Sequence, residues 1–114
     1  MLQFDVVGVG HVALDNLGIV ESYPQLDQRI RLKDFLRQGG GEVATALVTL
    51  ARLGAKVSFV GKVGDDESGE FLSKEFLQEG VDISQLVKEK GKMSLTAFCI
   101  IDQKSGKRTI FWYK

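Results

Sequence analysis

Apolar and polar positions along this chain follow different periods, and each period predicts a different kind of element. Residues 4–9, Phe-Asp-Val-Val-Gly-Val, are short, β-branched and bounded by glycine, which predicts a buried strand. Residues 19–23 predict a second short strand, cut off by Pro24. Over residues 28–36, Ile30 and Leu32 alternate with Arg29, Arg31 and Lys33, the pattern of a strand with one solvated face. The two kinds of strand therefore belong to different sheets. After Gly39, Gly40 and Gly41 the period lengthens. Val43, Leu47, Leu50 and Ala51 form one helical stripe, stopped at Gly54 with Arg52 in the last turn. Residues 57–60 predict another buried strand and residues 67–79 a second helix ending at Gly80, with Glu70 and Lys74 at ion-pair spacing. Residues 96–101 and 109–113 predict a hairpin that turns around Lys104, Ser105 and Gly106.

That order of elements is an α/β pattern. It also looks unfinished. Three or four strands without closing βα units leave a sheet edge and a sheet face uncovered. The chain ends inside the aromatic run Phe111-Trp112-Tyr113. The pattern predicts the N-terminal part of a larger domain, although a complete small domain also fits 114 residues, for which a radius of roughly 13 Å is ordinary.

Composition narrows the partners. Fifteen basic and fifteen acidic side chains cancel, which argues against a nucleic-acid binder or a polybasic membrane module. One cysteine, Cys99, rules out an internal disulfide framework and fits a reducing compartment; Cys99 itself reads as a small buried hydrophobe. No apolar run reaches bilayer length and the N-terminus lacks a signal-peptide pattern, so a cytoplasmic protein is expected.

Thirteen glycines cluster at the ends of apolar runs, where backbone comes close to something else. Gly8-x-Gly10-x-x-Ala13 satisfies the loose dinucleotide fingerprint, but Gly18 and Pro24 interrupt the helix that should come next. Asp15 lies just beyond the first predicted strand, where open α/β sheets place ligands. A carboxylate there can accept from two neighbouring hydroxyls of a polyol, or simply be a loop residue or helix cap. Gly39 to Gly41 open a helix, where free N–H groups attract oxygens; a flexible joint is the plainer alternative. Asp65, Asp66 and Glu67 read as first-turn carboxylates rather than a metal site, and His11 has no second ligand nearby. Glu70, Lys74 and Glu75 read as a solvated helix face.

Together these pieces resemble the N-terminal half of the ribokinase / phosphofructokinase-B family of carbohydrate kinases. The matching stretches are Val6-Val7-Gly8 with Asp15 after it, then Gly39-Gly40-Gly41 through Ala51-Arg52-Leu53-Gly54. Gly61-Lys62-Val63-Gly64-Asp65-Asp66 with Gly69, Gly80-Val81-Asp82 and Thr96-Ala97 come after them in family order. The resemblance implies an incomplete ribokinase-like α/β fold over residues 1–114, a parallel sheet flanked by helices, with residues 16–38 and roughly 95–113 contributing a small β-lid. It implies that Asp15, Gly40, Gly41 and Thr45 bind a sugar, with Thr45 standing where the family usually has asparagine. Thr45 keeps a hydroxyl but lacks the amide's paired donor and acceptor. Glu42 adds a negative charge that disfavours an already phosphorylated substrate.

The family's catalytic aspartate lies in a Gly-Ala-Gly-Asp stretch near its C-terminus, together with most of the nucleotide site. No such stretch occurs in these residues. The resemblance thus implies an ATP- and Mg2+-dependent sugar kinase as the parent, with these residues alone inactive and binding neither cofactor. A non-catalytic binding module, or a homodimer through the lid edge carrying Ile30 and Leu32, is the alternative from a different class. Dinucleotide binding through residues 8–13 is a third and predicts affinity for NAD without affinity for sugar.

Overall fold

The computed structural model describes residues 3–114; residues 1 and 2 of the expected domain lie outside the described residues. The chain runs β1 (Val6–Val9), β2 (Ala13–Val20), β3 (Asp34–Gly40), α1 (Glu42–Arg52), β4 (Val57–Gly64), α2 (Glu67–Gln78), β5 (Leu86–Glu89), β6 (Thr96–Asp102) and β7 (Arg108–Tyr113). Two sheets result. One is parallel in the order β1-β4-β5, and the other is mixed in the order β3-β2-β6-β7. The chain crosses between them after β1, after β3 and after β5. The Cα radius of gyration is 16.1 Å, with extents of 57 × 34 × 19 Å. That exceeds the value ordinary for this length because the mixed sheet stands out from the layered part instead of packing onto it.

Both helices cover one face of the parallel sheet. Phe59 on β4 is fully buried, and its ring stacks on Phe76 of α2 with centroids 4.9 Å apart. Leu47 of α1, Leu72 of α2, Val57, Val63 and Val81 complete this core. Gly8 on β1 leaves room for Val43 and Leu47 of α1 to lie directly on the strand. The expectation that the first strand is buried fails on the other face. Val7 and Val9 are 53% and 71% exposed because no described element lies over them.

The strand expectations for residues 19–36 also need correction. β2 starts at Ala13 and ends at Val20, so residues 21–23 are not strand. Asp15, Asn16 and Gly18 are poor strand formers, but β2 is flanked on both sides, by β3 and β6, and cross-strand pairing overrides propensity. β3 covers residues 34–40 rather than 28–36. Its register is set at the glycines, where Gly39 and Gly40 pair with Leu14 and Ala13. Ile30 and Leu32 lie in the irregular stretch before it, so they provide no strand edge. Leu32 instead packs where a β-carbon on Gly18 would sit.

The helices and the hairpin match the hydrophobic pattern to within a residue or so. Glu70, however, pairs with Lys88 of β5, and Lys74 adds only a weaker attraction. Asp66 caps α2. It accepts from the Gly69 N–H at 2.9 Å, the Ser94 N–H at 2.9 Å and the Ser94 hydroxyl at 2.7 Å. Ser94 Oγ in turn accepts from the Gly64 N–H at 3.0 Å. One carboxylate therefore ties the start of α2 to the segment leading into β6.

Partial burial alone would raise the Asp66 pKa, but these hydrogen bonds outweigh it and hold the carboxyl below its ordinary value. A depressed folded-state value means the stabilisation is present above the unfolded pKa and is lost as pH falls through the folded one. Asp66→Ala should cost about 2 kcal/mol at neutral pH. Its acid-unfolding curve should flatten below the ordinary aspartate range, as read by urea titration across pH. No helix among the described residues is long and apolar enough to cross a membrane.

Candidate functional site

Asp15 sits inside β2, not in a loop beyond β1. It pairs across the sheet with Gln38 on β3 and Ala97 on β6, so all three occupy one face. Its carboxylate is half-buried, and no hydrogen bond to it is found among the described residues. Burial pushes its pKa above the ordinary value, with no donor to offset the effect. An acceptor held partly out of water and left without a partner is suited to hydroxyl donors from a ligand.

Gly40 is the reason Asp15 can lie there. It is buried at the end of β3, and a β-carbon on it would overlap the Asp15 carboxylate. Gly41 comes next at φ +106°, a region that side chains avoid, and a β-carbon there would meet the His11 carbonyl oxygen at 2.6 Å. This residue is the N-cap of α1, and it caps through its backbone alone. Its carbonyl accepts from the Thr45 N–H at 2.9 Å to start the helix. Asp15, Gly40 and Gly41 are thus one contiguous surface where β2 and β3 meet α1.

Thr45 stands apart from it. It is exposed on α1 and lines a cavity of about 230 Å³ between α1, α2 and the end of β3. Gln38, Gly39, Thr49, Arg52, Glu75 and Glu79 also line this cavity, whereas Asp15, Gly40 and Gly41 do not. Arg52 spans the cavity rim to Glu79, with Nε 2.7 Å from Oε2.

A second, larger opening of about 600 Å³ lies at the carboxyl ends of β1, β4 and β5, lined by Gly10, His11, Lys62, Glu89 and Lys92 among others. Gly10 leads into β2 rather than into a helix, which removes the helix N-terminus that dinucleotide binding through residues 8–13 requires. Among the described residues, no three His, Cys, Asp or Glu side chains converge to hold a metal ion. Cys99 is buried on β6.

Glu75 has a role that the sequence pattern does not suggest. It belongs to no solvated face: it is half-buried, and its Oε1 accepts from the Gly39 N–H at 2.8 Å. Nothing in a charged residue at an ordinary helical position signals this contact, because the partner lies 36 residues away on an edge strand.

The sequence profile described as pfkB family carbohydrate kinase matches residues 3–114. Over 93 residues the chain is 42% identical to 5-dehydro-2-deoxygluconokinase of Clostridium perfringens, covering 82% of this chain and 26% of that enzyme. It is 32% identical over 113 residues to ketohexokinase of Mus musculus, covering 99% of this chain and 38% of that one. The crystal structure of fructokinase with bound ATP from Xylella fastidiosa superposes with a TM-score of 0.75 at 29% identity, covering 96% of this chain and 32% of that one. The chain therefore spans well under half the length of each of these relatives.

Proposed function

The chain belongs to the pfkB family of carbohydrate kinases, and on that premise we propose that residues 3–114 carry the acceptor-sugar site and lid of an ATP-dependent carbohydrate kinase. The observation that carries this reading is the unpartnered Asp15 carboxylate seated on Gly40. Asp15 accepts from sugar hydroxyls, and the close-approach backbone of Gly40 and Gly41 shapes the floor beneath them. The mixed sheet β3-β2-β6-β7 acts as the lid, since it projects from the layered part on three crossings and carries Asp15 on one face. Thr45 contributes a hydroxyl from α1 only if the sugar bridges from Asp15 to that helix.

ATP supplies the phosphoryl group in this reading. In this reading the part of residues 3–114 is to bind and orient the acceptor. The base that takes the hydroxyl proton is assigned to sequence outside them, and residues 1–114 expressed alone should not turn over. The cytoplasm, where ATP is available and Cys99 stays reduced, is the matching location.

The test is a coupled ADP-release assay on the intact protein with a panel of neutral sugars. A ketohexose and 5-dehydro-2-deoxygluconate come first, as the acceptors that the relatives' names indicate. Sugar-dependent ADP release supports the reading. Release that is absent for every acceptor, or equal without sugar, overturns it.

The second face of the lid favours a partner as well. Phe35, Phe98, Phe111 and Tyr113 share the face opposite Asp15, and each is more than half exposed. Exposed aromatic side chains gathered on one sheet face mark a surface suited to a protein partner. A second copy of the same sheet covers it in our proposal, in place of an edge at Ile30 and Leu32. Phe98→Asp should convert a dimer to a monomer by light scattering without changing the circular dichroism. A wild-type protein that stays monomeric at high concentration would remove this reading.

A further inference from the structure

β3 is the outer strand of its sheet, so alternate N–H groups along it point away from β2 with no ladder partner. At Gly39 that outward N–H is taken by Glu75 of α2, at 2.8 Å. The fit is close on both sides. A β-carbon on Gly39 would stand 2.5 Å from Glu75 Oε1 and 3.4 Å from Leu72 Cδ2. The carboxylate therefore reaches the backbone only because residue 39 is glycine. Two residues earlier, Arg37 lies over the Phe71 ring at 5.2 Å and stands 3.8 Å from Glu67, so the same helix grips the same strand twice more.

The next residue along the strand is Gly40, on which the Asp15 carboxylate rests, and after it Gly41 turns the chain into α1. From this geometry we infer that Glu75 is a positioning residue: it fixes the Gly39–Gly41 backbone from behind and thereby sets the hydroxyl-binding surface at Asp15. The inference rests on Asp15 being the sugar site. A charge-assisted hydrogen bond to a backbone N–H is stiffer than one to water, and small misplacements at a binding floor cost affinity steeply. Glu75 meets the strand at the Gly39 N–H and not at Asp15. Its effect passes through the glycines.

The test uses the intact protein with Glu75→Ala, Glu75→Gln, Gly39→Ala and the double variant Gly39→Ala/Glu75→Ala. Glu75→Ala should raise the sugar KM about tenfold while the ATP KM stays within about twofold, and Glu75→Gln, which keeps an acceptor oxygen, should recover most of the loss. Amide exchange at Gly39 to Gly41 should speed up by about tenfold in Glu75→Ala. Gly39→Ala alone should raise the sugar KM by a similar factor. In the Glu75→Ala background, where the carboxylate no longer occupies that space, it should add less than about twofold.

A Glu75→Ala protein with unchanged exchange, or with faster exchange but an unchanged sugar KM, overturns the inference while leaving the sugar site standing. Additive effects of the two substitutions overturn it as well. A loss of melting temperature with equal changes in both KM values shows a merely structural contact and likewise overturns it. A wild-type protein inert to every sugar is a different failure, visible before any variant is made, and it removes the functional reading and this inference together.

Discussion

Asp15→Ala is expected to raise the sugar KM about 100-fold or more, because it removes an ionised acceptor from two hydroxyl contacts at once. ATP affinity should not move. The companion Asp15→Asn separates charge from shape: it keeps one acceptor and should retain part of the binding. A second readout comes from the burial that raises this carboxyl's pKa. With the folded-state value above the unfolded one, the folded protein binds more protons between the two values. Stability then falls as pH rises through that window and stays lower above it. Asp15→Asn should therefore melt higher than the wild type at neutral pH without ligand. That gap should close in acid, below the ordinary aspartate value of about 3.9. Higher melting together with weakened sugar binding is the pattern of a residue kept for function at the expense of the fold. An Asp15→Asn protein that melts lower at neutral pH, or one that binds sugar normally, would contradict the assignment.

Phe59→Ala should cost about 3–5 kcal/mol of stability. The ring is fully buried, stacks on Phe76 and closes over Gly61, where a β-carbon would stand 2.7 Å from its edge. Truncation opens a cavity at the centre of the contact between β4 and α2, and neither element can collapse into it without losing the other's packing. Urea unfolding of the intact protein should show a lower midpoint with an unchanged slope. Phe59→Leu should recover most of the difference. A loss below about 1 kcal/mol for Phe59→Ala would mean that the core does not close around this ring.

These two residues are not equally legible in the sequence. Phe59 lies in a short apolar run that ends at glycine, a pattern that predicts a buried strand, and on the helix-covered face of β4 that expectation holds. Asp15 stands out as a candidate ligand contact, but its local structure does not. A carboxylate followed by asparagine, leucine and glycine does not look like the middle of a strand. It becomes one because β3 and β6 pair with it from either side, through Gln38 and Ala97 opposite Asp15, neither of them near it in sequence. The same cause places β3. Alternation around Ile30 and Leu32 is a real period-two signal, yet the strand begins after it, since pairing at Gly39 and Gly40 fixes the register from the other end. Glu75 is not legible at all, for its partner is a backbone N–H that no side-chain pattern reveals.

Composition and residue order by themselves determined the class of fold, both helices with their ends, the terminal hairpin and the family. These depend on local periodicity, on glycines at chain reversals and on an ordered set of short blocks, all of which are one-dimensional. The tertiary structure decided where the strands of the mixed sheet begin, which face carries Asp15, and why three successive glycines are needed. Gly39 admits Glu75, Gly40 admits Asp15, and Gly41, at positive φ, clears the His11 carbonyl oxygen. Each reason is a close approach between segments distant in sequence, and steric exclusion of that kind exists only once the chain has folded.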